Sequence, residues 1–242
     1  MISLSQALKS RLDAVRVRQP LSSERTSERE TISGGPPTPL QEMQCLHSSL
    51  YRLANVCADA VTKAVLHFQP GDLWLVGTMP TCAVEADLAE TQGRSYLAHS
   101  QLTEDQIDSV SRILKDIADL RAVARCARHA AQISWLLRGE AESDESLRRL
   151  IVSVGDPAAT VARKSVVVIA AKNPQAAAAT ALLYRQVDTA RQAAELALRD
   201  QPLVERCSIP QVRMSRAAIW YMTICGESMA RLAARAAQIP KI

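Results

Sequence analysis

The sequence predicts an all-α protein, built as two tandem three-helix bundles behind an N-terminal extension. Three observations lead there. Hydrophobic residues make up 48% of the chain, yet aromatics are 3% with a single Phe, and alanine dominates. Alanine is the best helix former and its small side chain lets helices approach closely, whereas a β protein of this size draws on far more Val, Ile, Tyr and Phe. Next, a phrase is said twice: Ala124-Arg125-Cys126-Ala127-Arg128-His129-Ala130-Ala131-Gln132-Ile133 recurs as Ala230-Arg231-Leu232-Ala233-Ala234-Arg235-Ala236-Ala237-Gln238-Ile239, with seven of ten positions identical. Finally, Lys63, Val65 and Asp87 are answered by Lys164, Val166 and Asp188 at one offset, five residues short of the first. A small insertion before the last helix of one copy produces that difference. Two registers together indicate an internal duplication.

Each element follows from local pattern. Residues 1–19 place Leu4, Leu8, Leu12 and Val15 on one face and Arg11, Arg16 and Arg18 on another, which reads as a docking or fraying terminal helix, with a membrane-surface helix as the alternative. Residues 20–40, from Pro20 through Gly34-Gly35-Pro36-Pro37-Thr38-Pro39, form a linker. Residues 1–44 are therefore an extension, 45–139 the first bundle and 140–242 the second.

The first bundle opens with a helix from Gln41 to Phe68, whose Leu46, Leu50, Leu53, Val56, Cys57, Val61, Val65 and Phe68 point inward, ended by Pro70-Gly71. The second helix runs from Asp72 to His99, kinked or divided at Pro80. Thr103 and Gln106 make a capping box for the third, which carries an apolar stripe from Ile107 and Val110 through Ile117, Leu120, Ala124 and Ala131 to Leu137. A polar connector, Gly139 to Asp144, precedes a fourth helix over Ser146 to Lys172, interrupted or bent around Gly155-Asp156-Pro157. The run Val166 to Ile169 is the one place a strand could hide. Asn173 caps a fifth helix that starts at Pro174 and reaches Asp200. Pro202 and Pro210 bracket a turn, and the sixth helix runs to Ile239.

Several function classes drop out. A net charge of +4, with no polybasic tract and interleaved aromatics, argues against nucleic-acid binding. The six cysteines are scattered without a C-x-x-C pair or a His at ligand spacing, as reduced, packed thiols of a cytoplasmic protein are. No segment reaches the uninterrupted apolar length of a signal core or membrane span, so no membrane insertion is expected. Phosphate-cradling, nucleophile-elbow and zinc-protease motifs are all missing, so no catalytic residue is assigned.

At this layout the chain resembles the PhoU family, regulators of bacterial phosphate uptake. In that family each of two three-helix bundles closes on a signature close to Glu-Arg-Ile-Gly-Asp-His-Ala-x-Asn-Ile. Ala124 to Ile133 falls on it, matching the Arg, the His-Ala pair and the final Ile, with Gln for Asn; Ala230 to Ile239 matches less, having Arg235 for His. The resemblance covers residues 45–240. It implies a cytoplasmic adaptor, dimeric, that couples components of a phosphate transporter to a sensor histidine kinase. It also implies metal binding by the signature carboxylates, but those positions here hold Ala124, Arg128, Ala230 and Ala234. Hard cations need oxygen ligands, so a multinuclear cluster and a resident cofactor are not expected. Asp87 and Asp188 persist at equivalent places and stand as residual ligands for a weakly held divalent ion, or as solvated acids; Glu104, Asp108, Asp116 and Asp119 carry the same two readings.

The arginines run the other way. Arg121, Arg125 and Arg128 recur at i, i+4 and i+7 on the third helix, and Arg231 and Arg235 on the sixth, one turn after Glu227. They read as an interaction face for an acidic partner, or as cations paired with local acids. His129 is structural, and Trp74, Trp135 and Trp220 are core or groove anchors. Three functions follow: a PhoU-like regulator, an interaction protein that kept the bundle and lost metal and phosphate roles, and an all-α enzyme applying arginines to a small anion. The last is weakened by the want of a general acid or base beside them.

Overall fold

The computed structural model describes residues 38–69, 82–99, 102–139 and 145–238. The terminal helix and linker before Thr38, the start of the second helix with Pro80 and Trp74, and most of the connector lie outside them. The protein is all-α. Its helices are α1 (Pro39–Leu66), α2 (Ala83–Leu97), α3 (Glu104–Gly139), α4 (Glu145–Ala171), α5 (Pro174–Ala197), α6 (Gln201–Arg206) and α7 (Ile209–Gln238).

Helix ends are set by side chains that satisfy the first free amides. Thr38 and Gln41 form a reciprocal capping box, the Thr38 amide donating to Gln41 at 2.9 Å, with Pro39 at the first helical position. The helix thus begins two residues before Gln41, inside the expected linker, because Thr-Pro-x-Gln is itself a start signal. Thr103 and Gln106 form the anticipated box, and Ser208 and Gln211 make a third at the head of α7. Asn173 accepts from the amides of Gln175 and Ala176, opening α5 one residue after Lys172, whose φ of 49° makes the sharp reversal.

Three expectations change. Helix α4 passes unbroken through Gly155 and Pro157, and Val166 to Ile169 is helical within it, in keeping with the expected span Ser146 to Lys172. The segment between Pro202 and Pro210 contains the short helix α6 where a turn was expected. Trp135 and Trp220 are exposed, at 58% and 57%, and Ile107 is exposed too. The inward positions of α7 around Trp220 belong to Ala218, Ile219 and Met222, so the helical register turns Trp220 outward.

Packing assembles a ring of four long helices. Helix α1 lies against α3 and α4, and α7 also lies against α3 and α4; α2 covers α1 and α3, and α5 covers α4 and α7. Close approach is visible where a glycine faces a neighbour: a Cβ on Gly155 would meet Val65 at 2.8 Å, and one on Gly226 would meet Ala158 at 3.4 Å. A continuous core fills the ring, with Leu46, Leu53, Ile113, Ile117, Leu120, Leu147, Ile151 and Ile219 fully buried. Each such side chain contributes about 2 kcal/mol by leaving water. At one edge His99, after α2, reaches Glu42 of α1 at 2.7 Å. No helix among the described residues is long and apolar enough to cross a membrane.

Candidate functional site

Helix α3 packs against α1, α2 and α7, and its inner and outer sides divide the candidate residues. The repeated phrase owes most of its identities to the inside: Ala124, Ala127, Ala130, Ala131 and Ile133 are buried on α3, as are Ala233 and Ala236 on α7, while the identical Arg125, Arg231, Gln132 and Gln238 are exposed. Of the differing positions, Leu232 is buried and the others lie outward or at the edge. Arg128 and His129 are exposed on α3, and Ala234 is exposed on α7.

The two sets of predicted residues partly neutralise one another. Arg121 binds Asp87 directly and reaches Glu90 at 2.7 Å, fastening α3 to α2. Asp87 is 75% exposed, so this pair is of the surface kind that is worth little. Asp188 accepts from Arg191 at 2.8 Å and from Gln192 at 2.9 Å, and Arg191 continues to Glu195 at 2.7 Å, all within α5. Arg231 approaches Glu227 at 3.6 Å along α7. Beside it, burial raises Tyr184, helped by the charges of Glu227 and Asp188.

Arg235 behaves differently. It leaves its own helix and bridges to α3, with contacts of 2.7 Å to Asp116 and 2.5 Å to Asp119. Asp116 is buried, and burial pushes its carboxyl up against the opposing pull of the guanidinium. The i, i+3 acids of α3 are thus the counter-ions of an arginine from the other half of the chain. Among the described residues no group of three or more His, Cys, Asp or Glu side chains is placed to hold a metal ion.

Arg125 and Arg128 are left over. Both are exposed, and neither joins an ion pair among the described residues. They continue along the outer stripe of α3 into Gln132, Trp135 and Leu136, all exposed. Helix α7 runs antiparallel beside it, as the pairs Asp116–Arg235 and His129–Tyr221 establish. His129 stacks on Tyr221 at 5.5 Å between centroids, and Trp220 tilts onto Tyr221 at 5.3 Å. Arg213 and Arg216 are exposed two turns and one turn before Trp220. Each of the two helices thus carries two of these exposed arginines and an exposed indole, that of Trp135 lying toward His67 at the C-cap of α1.

A feature the sequence reading dispersed is brought together underneath. The Cys57 thiol donates to the Leu120 carbonyl at 3.3 Å, and the Cys225 thiol to the Val123 carbonyl at 3.5 Å, one turn apart on α3. The Cys57 thiol interacts with that of Cys82, which occupies the N-cap of α2, and the Cys225 thiol with that of Cys126 of α3. The Cys57 hydrogen bond, the helix-start amide and Arg128 bring Cys82 down to about 7 against the effect of burial. The Cys225 hydrogen bond and Arg125 lower Cys126 in the same way, while Cys57 and Cys225 are pushed up by their partners and by burial. Four residues from four helical segments carry no spacing signal, so pattern alone could not assemble them. Set against models of known families the chain matches none, and no curated protein is significantly similar to it.

Proposed function

We propose that the protein is a PhoU-like regulatory adaptor of phosphate transport and phosphate signalling, working by protein–protein contact and not by turnover. The observation that carries this reading is the outer face of α3 and α7, where Arg125, Arg128, Arg213 and Arg216 stand exposed beside Trp135 and Trp220. Arginine and tryptophan are the residues that dominate binding energy at protein interfaces, and guanidinium forks suit carboxylates. By the resemblance, the acidic partners are cytoplasmic components of a phosphate transporter and a sensor histidine kinase, and the adaptor is a homodimer. The helix packing supports a duplicated origin, since exchanging α1 with α4, α2 with α5 and α3 with α7 leaves the principal packing pairs unchanged. On this reading α1, α2 and α3 are one three-helix unit and α4, α5 and α7 the other, and the protein is cytoplasmic, without resident cofactor.

Reversing Arg125 and Arg128 to Glu tests it. With purified transporter ATPase and kinase cytoplasmic domains as probes, capture should fall at least tenfold and lose its salt dependence, while the melting temperature stays within a degree or two. Undiminished capture overturns the assigned face. One observation favours a second reading, an interaction protein without phosphate or metal role: Asp87, Asp116, Asp119 and Asp188 are all engaged by arginines. Capture of neither probe by the unaltered protein selects that reading.

A further inference from the structure

Four of the six cysteines converge on a single stretch of α3, and they do so in pairs. Each pair joins a buried thiol to one nearer the surface. Cys57 and Cys225 are fully buried; Cys126 is half-buried, and Cys82, at the N-cap of α2, is buried with 7% of its surface still exposed. Each outer thiol has an arginine beside it, Arg128 for Cys82 and Arg125 for Cys126. Those are the two arginines of the α3 stripe that no carboxylate engages among the described residues.

We propose that this cluster is a site of reversible thiol oxidation by a hydroperoxide, with Cys82 closing a disulfide onto Cys57 and Cys126 closing one onto Cys225. The thiolate is the nucleophile, and neighbouring cations favour it, so Cys82 and Cys126 attack first. The attacking sulfur takes one peroxide oxygen as the O–O bond breaks, becoming a sulfenic acid, and the other oxygen leaves as hydroxide, which takes up a proton to become water. The buried thiol then attacks the sulfenic sulfur. An S–S bond forms, the S–O bond breaks, and the hydroxyl departs as water with the proton of Cys57 or Cys225. Two thiols and one hydrogen peroxide thus give one disulfide and two waters. A buried resolving thiol in hydrogen-bond contact forestalls further oxidation of the sulfenic acid, and a dithiol reductant reverses the product.

The two bonds restrain different joints. Cys57–Cys82 pins the start of α2 to α1, and Cys126–Cys225 staples α3 to α7.

The full-length reduced protein is exposed to hydrogen peroxide, quenched with N-ethylmaleimide and mapped by non-reducing peptide mass spectrometry. Expected are cross-linked peptides Cys57–Cys82 and Cys126–Cys225 that dithiothreitol removes, with exposed Cys45 as the unpaired reference thiol. Cys57→Ala should slow the oxidation of Cys82, since it removes the group that most favours its thiolate, and leave the product as a sulfenic acid that dimedone traps, without preventing the Cys126–Cys225 bond. Arg128→Gln should slow oxidation of Cys82 about twofold and spare Cys126, and Arg125→Gln should do the reverse, through the loss of thiolate. If all four thiols stay alkylatable while Cys45 oxidises, or if they pass to sulfinic acids without cross-links, the proposal is overturned. Equal rates in both arginine variants overturn the assigned role of the arginines.

Discussion

Arg235 and Arg121 look interchangeable in the sequence, yet they stand in unlike surroundings. Arg121 meets an exposed carboxylate, and its replacement by Gln should cost about 0.5 kcal/mol or less. Arg235 meets the buried Asp116, and its loss strands a charge in a poorly solvated place. Arg235→Gln should therefore cost about 2 kcal/mol near neutral pH. The pH dependence has a definite sign. Asp116 is raised in the fold, so the folded protein holds this proton more tightly than the unfolded chain, and stability falls as pH rises through its folded value. Without Arg235 the rise is larger, so the deficit of the variant should be small at pH 4 and grow toward pH 7. Melting curves at the two values check this; an equal deficit at both contradicts it.

At the scale of elements, helices were legible because their periodicity, caps and prolines are local. The Thr103–Gln106 box and the Asn173–Pro174 start appear as read. What was not legible depends on a partner distant in sequence. The burial of a helix face says nothing about which acid an arginine from the other half will meet, so Asp116 and Asp119 could equally be solvated acids. The exposure of Trp135 and Trp220 was hidden for a related reason: hydrophobicity predicts burial only where the facing elements leave space. Gly155 shows how tight that space is. Alanine there gains about 1 kcal/mol of helix propensity but collides with the branched, buried Val65, which costs about 2 kcal/mol. Gly155→Ala should lower the urea midpoint. Gly93→Ala meets only the flexible end of Leu114, 2.7 Å away before adjustment, and should leave the midpoint unchanged or raise it.

For the whole molecule, the ring matters more than either half. The joints α1–α4 and α3–α7 bury the same continuous core that the bundles bury, so residues 38–242 should unfold as one cooperative unit. Variants retaining Trp135 or Trp220 as sole tryptophan place one reporter in each half. Their fluorescence transitions in urea should coincide with each other and with loss of helical ellipticity. Separate midpoints would mean that the halves stand alone.

Arg125 and Arg128 belong at once to the outer stripe of α3 and to the surroundings of Cys126 and Cys82. This double membership ties two chemistries by thermodynamic reciprocity. An acidic surface that occupies the guanidiniums withdraws positive potential from the sulfurs beneath, and closing the disulfides removes the anions those guanidiniums face. Whatever factor oxidation imposes on the affinity for a partner, the partner must impose on the thiol–disulfide equilibrium. A partner-bound molecule and a free one would then register the same redox poise differently, with no moving part beyond two arginine side chains.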